Sequence, residues 1–112
     1  MIKQAKAKTK PVKQNKGLDL DFDTMKKAAL MLRAMNHKLR QQILNYIHKS
    51  GEVTVSEIYQ KLKIEQSVTS SHLAIMRKAG FVNFQREGQN IFYSVNYDKL
   101  HQLEKSAKDM IK

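Results

Sequence analysis

Apolar residues recur at three- and four-residue intervals along most of this chain, alternate briefly after residue 80, and then return to helical spacing. In residues 24–35, Met25, Ala28, Ala29, Leu32 and Met35 share one helical stripe, and Thr24 stands where an N-cap belongs. Asn36 is placed to cap a second helix running to about residue 48, with Leu39, Ile43, Leu44 and Ile47 on its buried face. Ser50-Gly51 stops it, because glycine readily takes the left-handed conformation that ends helices. Thr54 caps a short third helix, and Glu57 three residues on completes a Thr-x-x-Glu capping box, with Val55, Ile58 and Leu62 facing inward. After the link Lys63-Ile64, residues 66–79 form a fourth helix, with Val68, Leu73 and Met76 inward and Gly80 as terminator.

The period then changes. Residues 81–86 and 91–95 are β-branched and aromatic runs separated by Glu87-Gly88-Gln89-Asn90, which predicts a hairpin. An isolated two-stranded hairpin is marginally stable, so this one must pack on the helices. Asn96 caps a last helix in which Leu100, Leu103, Ala107 and Met110 line one face. The predicted fold is mainly α with a small β-hairpin (α+β), in the order α-α-α-α-β-β-α.

The third and fourth helices are joined by a very short link, and the fourth is polar and hydroxyl-rich away from its apolar positions. This is the grammar of a helix-turn-helix, whose second helix enters the DNA major groove. Gln66, Ser67, Thr69, Ser70, Ser71 and His72 gather at its N-terminal end, where short hydroxyls and an amide approach base edges and phosphates closely. Taken alone, the same residues also describe an ordinary solvated helix face. The hairpin tip Arg86-Glu87-Gly88-Gln89-Asn90 favours the DNA reading: it is built like a wing, with Arg86 as a phosphate partner and Gln89 and Asn90 at the tip.

Charge sharpens this picture. The 112 residues carry 21 Lys+Arg against 10 Asp+Glu, a formal +11. Lys3, Lys6, Lys8, Lys10, Lys13 and Lys16 give residues 1–16 six of those positive charges with no acid, leaving +5 for the rest. Residues 1–17 are expected to be a disordered basic tail and 18–112 the folded domain. The tail reads equally as a solubilising extension or as a mobile arm that screens phosphate charge. Leu18-Asp19-Leu20-Asp21-Phe22-Asp23 leads into the first helix, its acids favourable near a helix N-terminus.

The absence of cysteine excludes disulfides, thiolate zinc sites, iron–sulfur clusters and thiol redox switches. No apolar run reaches the ~18 residues of a membrane span, and residues 1–17 contain no apolar stretch of secretory length, so the cytoplasm is the expected compartment. An enzyme has little to stand on here: there is no cysteine nucleophile, no glycine-rich phosphate loop among four glycines, and no carboxylate–histidine cluster outside the last helix.

Four blocks in order make the chain resemble the ArsR/SmtB-type winged-helix transcriptional regulators: Leu32 to Leu44, Val53 to Ile58, Gln66 to Leu73 followed by Arg77 to Val82, and the wing Arg86 to Tyr93. The resemblance covers residues 25–111. It implies a homodimer with the first and last helices at the interface and two recognition helices on a two-fold symmetric operator. Met25, Ala28, Leu32, Leu100, Leu103, Ala107 and Met110 are then the interface residues. Such dimers set their reading helices about 34 Å apart. The alternative for these stripes is packing on the chain's own core.

The departures from the family pattern matter as much. Where relatives place cysteines in helix 3, this chain has Val53, Val55 and Ser56. At the family's last-helix site, Asp98 is followed by Leu100 in the histidine position, and the second pair has no histidine. A remaining candidate set is Asp98, His101 and Glu104, which reads either as a metal site shared with a partner subunit or as pairing along a polar face. No cofactor is called for, and the signal is an unidentified ligand, a protein partner or the protein's own concentration.

The expected function is a sequence-specific DNA-binding regulator acting as a dimeric repressor. Gln66, Ser67, Ser70 and Ser71 approach bases; Arg40, His72, Arg77, Lys78 and Arg86 contact or steer phosphates. A sequence-independent architectural DNA binder is the alternative, though such proteins insert apolar wedges that this wing tip lacks.

Overall fold

The computed structural model describes residues 17–112. All but the last residue of the basic segment 1–17 lies outside the described residues. Five helices and three short strands follow in order: α1 (Phe22–Met35), α2 (Lys38–Ser50), β1 (Val53–Thr54), α3 (Val55–Leu62), α4 (Gln66–Ala79), β2 (Val82–Glu87), β3 (Asn90–Val95) and α5 (Tyr97–Met110).

Helix α1 begins earlier than its apolar spacing predicts. Asp21, not Thr24, is the cap: its carboxylate accepts from the Thr24 backbone N–H at 3.1 Å and from the Thr24 hydroxyl. Those bonds, the hydroxyl's first, hold the Asp21 carboxyl below the usual carboxylate range. Asn36 likewise ends α1 rather than capping α2; His37 occupies the α2 N-cap with no side-chain cap bond. The Thr54–Glu57 capping box forms as expected, with the Thr54 N–H donating to Glu57 Oε1 at 2.8 Å. Between α3 and α4, Lys63 takes a left-handed conformation (φ 57°) and turns the chain within three residues.

The end of α4 is a Schellman closure around Gly80 (φ 86°). The Phe81 N–H reaches back to the Met76 carbonyl at 2.9 Å and the Gly80 N–H to Arg77 at 3.0 Å, while Phe81 and Met76 are both fully buried. Asn96 ties the start of α5 to this corner. Its side-chain amide donates to the Gly80 carbonyl at 2.9 Å, and its Oδ1 accepts from the Lys99 N–H at 3.2 Å.

The predicted hairpin is longer than its apolar runs. Strands β2 and β3 pair antiparallel from Val82↔Val95 to Glu87↔Asn90, leaving Gly88-Gln89 as a two-residue turn. Only Gly88 has a positive φ (64°), the requirement for glycine at the first turn position of a type II′ hairpin. A third strand was not expected: β1 pairs antiparallel with β3 (Val53↔Tyr93), giving the sheet order β1-β3-β2. The core sits where this sheet meets α2, α3 and α4, around Ile43, Ile47, Ile58, Leu73, Met76 and Phe81. From α1 only Ala34 is buried, and from α5 no residue is.

Candidate nucleic-acid interface

Helix α4 is seated by Leu73 and Met76, both fully buried, and by a residue expected on the opposite side. Thr69 is 0% exposed and its hydroxyl donates to the Glu65 carbonyl at 3.0 Å. Thr69 therefore leaves the set of base-reading candidates. Its short side chain lies on the same side of the helix as Leu73 and Met76, at four- and three-residue steps, so it fills space against the core. The outward face holds Gln66, Ser67, Ser70 and Ser71, all exposed. Glu65, the N-cap, makes no side-chain cap bond. The first-turn N–H groups thus remain open at the positive end of the helix dipole.

Arg77, in the last turn of α4, lies over the aromatic face of Phe84 on β2, with its guanidinium carbon 4.7 Å from the ring centroid. Phe84 is itself 52% exposed and leans towards Tyr93 at 6.4 Å between centroids. The stack holds the cation on the side shared by α4 and the wing. Arg86, Gln89 and Asn90 are exposed along that wing, with Arg86 opposite Ile91 and Gln89 in the turn. Sequence spacing alone did not disclose the pairing of Arg77 with Phe84, since the two residues sit on different elements.

Arg40 and His72 are also brought together. The Arg40 Nε donates to His72 Nδ1 at 3.1 Å and one Nη to the Ala34 carbonyl at 3.1 Å, so one side chain links α1, α2 and α4. The His37 ring lies 4.7 Å from that of His72. Burial pushes the His72 imidazole below its ordinary pKa, and the His37 and Arg40 charges push the same way. Both Arg40 and His72 are half-buried. Lys78 is exposed and lies with Arg40 along a groove between α1 and α4, apart from the wing.

The residues expected at a dimer interface fall into two groups. Met25, Ala28 and Met110 are exposed, with Leu32 and Ala107 half-buried, whereas Leu100 and Leu103 pack as half-buried residues against the chain's own core. Of the candidate metal residues, His101 and Glu104 approach to 3.8 Å, and Glu104 also meets Lys108 at 4.0 Å. That is pairing along a polar helix face. No group of three or more His, Cys, Asp or Glu able to hold a metal occurs among the described residues. No helix among them is long and apolar enough to cross a membrane.

A model of the arsR family of bacterial regulatory proteins matches residues 37–83, which spans α2 through the start of β2. The transcriptional activator HlyU of Vibrio cholerae is 35% identical over 85 residues, covering 72% of this chain and 78% of that protein. The transcriptional repressor PagR of Bacillus anthracis is 33% identical over 81 residues, covering 72% of this chain and 81% of PagR. The crystal structure of PagR superposes with a TM-score of 0.62 at 32% identity, over 78% of this chain and 99% of that one. The shared segments include the helix-turn-helix, and the architectural alternative is not favoured. The chain belongs to the arsR family and is a DNA-binding transcriptional regulator of winged-helix fold.

Proposed function

We propose that the protein works in the cytoplasm as a homodimer that occupies a two-fold symmetric operator and blocks transcription. The observation that carries this reading is the exposed row Gln66, Ser67, Ser70 and Ser71 on α4, flanked on the wing by Arg86. Short hydroxyls and one amide on a major-groove helix read base edges, while cations on both sides fix the register on phosphates. Arg77, held on Phe84, Arg86, Lys78 and the free donors of Arg40 supply those phosphate contacts; Gln89 and Asn90 follow the backbone at the wing tip. His72 acts by positioning Arg40, accepting from that guanidinium at Nδ1 while its Nε2–H remains a donor.

The second copy would cover what one chain leaves open. Met25 is 55% and Met110 71% exposed, and no residue of α5 is fully buried within the monomer. Apolar stripes of this kind on the first and last helices suit a shared interface that spaces two recognition helices by about 34 Å. Blocking a promoter needs only that the bound dimer exclude polymerase, and PagR is named a repressor, whereas HlyU is named an activator.

The test is selection of bound fragments from genomic DNA, followed by salt titration of the selected site against a scrambled one. A two-fold symmetric consensus bound at least about a thousandfold tighter than scrambled DNA supports the reading. Equal affinity for both would overturn it. Sedimentation of a monomer at micromolar concentration would overturn the dimer.

A further inference from the structure

An open groove with a volume of about 600 Å³ runs between α1 and α4, within the size range of small-molecule sites. Its floor is apolar: Leu30 and Ile75, 51% and 40% exposed, stand over Met31, Ala34 and Ala79. Its rim is entirely cationic, with Lys27, Arg33, Arg40, Lys78 and Lys99 and no acid among the lining residues. Exposed aliphatic side chains inside a ring of positive charge match a molecule with a hydrocarbon body and a single anionic head.

Two features bear on what could occupy the groove. On α1, Lys27, Leu30, Met31 and Ala34 fall at three- and four-residue steps on one face, while Met25, Ala28 and Leu32 lie on the opposite face. The proposed dimer contact therefore does not cover it. The chain's own residues 1–16 carry six lysines and no acid, the same sign of charge as the rim.

We propose that this groove binds an amphipathic carboxylate, a medium-chain fatty acid by chemical class, with its chain on Leu30 and Ile75 and its carboxylate between the rim cations. Arginine favours that head, since its planar fork pairs with carboxylate in two parallel bonds. The site also bears on DNA: a carboxylate on Arg40 and Lys78 occupies donors assigned above to phosphate, and competes with His72 for Arg40. This coupling rests on the DNA-binding reading; the ligand site does not.

The experiment titrates the full chain with sodium decanoate by calorimetry, and follows the Leu30 and Ile75 methyl groups by NMR. Decyltrimethylammonium and acetate serve as the tail without the anion and the anion without the tail. Saturable binding of one decanoate per chain, with both controls at least about tenfold weaker, supports the site. Lys27→Glu and Leu30→Asp, at positions outside the DNA contacts, should each weaken decanoate about tenfold while circular dichroism stays unchanged. Absence of binding, equal binding of decyltrimethylammonium, or variants that bind like the parent would overturn the proposal. So would methyl shifts that follow protein concentration instead of decanoate, which would assign the groove to a second copy of the chain. With selected operator DNA, decanoate should lower affinity in the parent protein, and Lys27→Glu should need about tenfold more decanoate for the same effect. Decanoate bound with DNA affinity unchanged would overturn the coupling. A protein that bound decanoate but no DNA would sink the regulator reading and leave the site standing.

Discussion

The Arg40 guanidinium donates from Nε to Nδ1 of His72 across 3.1 Å, joining the first turn of α2 to the middle of the recognition helix. The bond exists only while that nitrogen carries a lone pair, so it belongs to the neutral imidazole. Through its second bond, to the Ala34 carbonyl, the same guanidinium also holds the end of α1. This side-chain link between α2 and α4 thus depends on the protonation of one histidine.

Because burial and the neighbouring charges depress the His72 pKa below 6.5, the unfolded chain binds that proton first as pH falls. Between the ordinary histidine value and the lower folded one, stability decreases with falling pH; above that window His72 contributes no slope. Side-chain NMR should place the His72 midpoint below 6.5, and Arg40→Ala should raise it by removing a facing charge. A midpoint at or above 6.5 in the parent protein would refute this account.

Thr54→Ala removes one half of the α3 capping box and should cost about 1 kcal/mol. For a domain of this size that lowers Tm by roughly 4–8 °C. Glu57→Ala loses the return bond from the Thr54 N–H, 2.8 Å long, and the double variant should cost less than the two singles added, because they dismantle one motif. Differential scanning calorimetry of the three proteins measures this.

Thr69 and Ser70 are neighbours with opposite tasks. Thr69→Val keeps the buried volume and loses a hydroxyl bond, so it should reduce stability by about 1 kcal/mol with operator preference intact. Ser70→Ala should change stability by no more than about 0.5 kcal/mol and narrow the affinity gap between operator and scrambled DNA. Paired denaturation and anisotropy measurements separate the two; loss of preference in Thr69→Val would mean the helix face has been misassigned.

Arg86→Ala should weaken binding to all sequences and lower the slope of log affinity against log salt by about one unit. Phe84→Leu retains every charge and removes the ring under Arg77. An exposed cation–π contact is worth about 0.5–1 kcal/mol, so affinity should fall roughly two- to fivefold with the salt slope unchanged. A changed slope in Phe84→Leu would show that the ring acts otherwise than by placing Arg77.

What was legible in the sequence was local. The capping box at Thr54 and the stops at Gly51 and Gly80 involve residues within one or two turns of each other, so their spacing alone specifies them. The α1 start was missed because Asp21 and Thr24 are both good caps, and the acid wins by accepting two bonds from the threonine. Strand β1 was missed because two residues carry no periodicity; Val53 and Thr54 are strand only because β3 lies beside them.

The order of helices, the helix-turn-helix and the wing follow from periodicity and turn chemistry along a few consecutive residues. Long-range packing sets which hydroxyls of α4 face outward, rests Arg77 on Phe84, brings Arg40 to His72 across 32 positions, and leaves an open cationic, apolar groove between α1 and α4. The reason is physical. A helix carrying Val68, Thr69, Leu73 and Met76 has more than one face it can bury, and the choice is made by the shape and polarity of the elements packed against it.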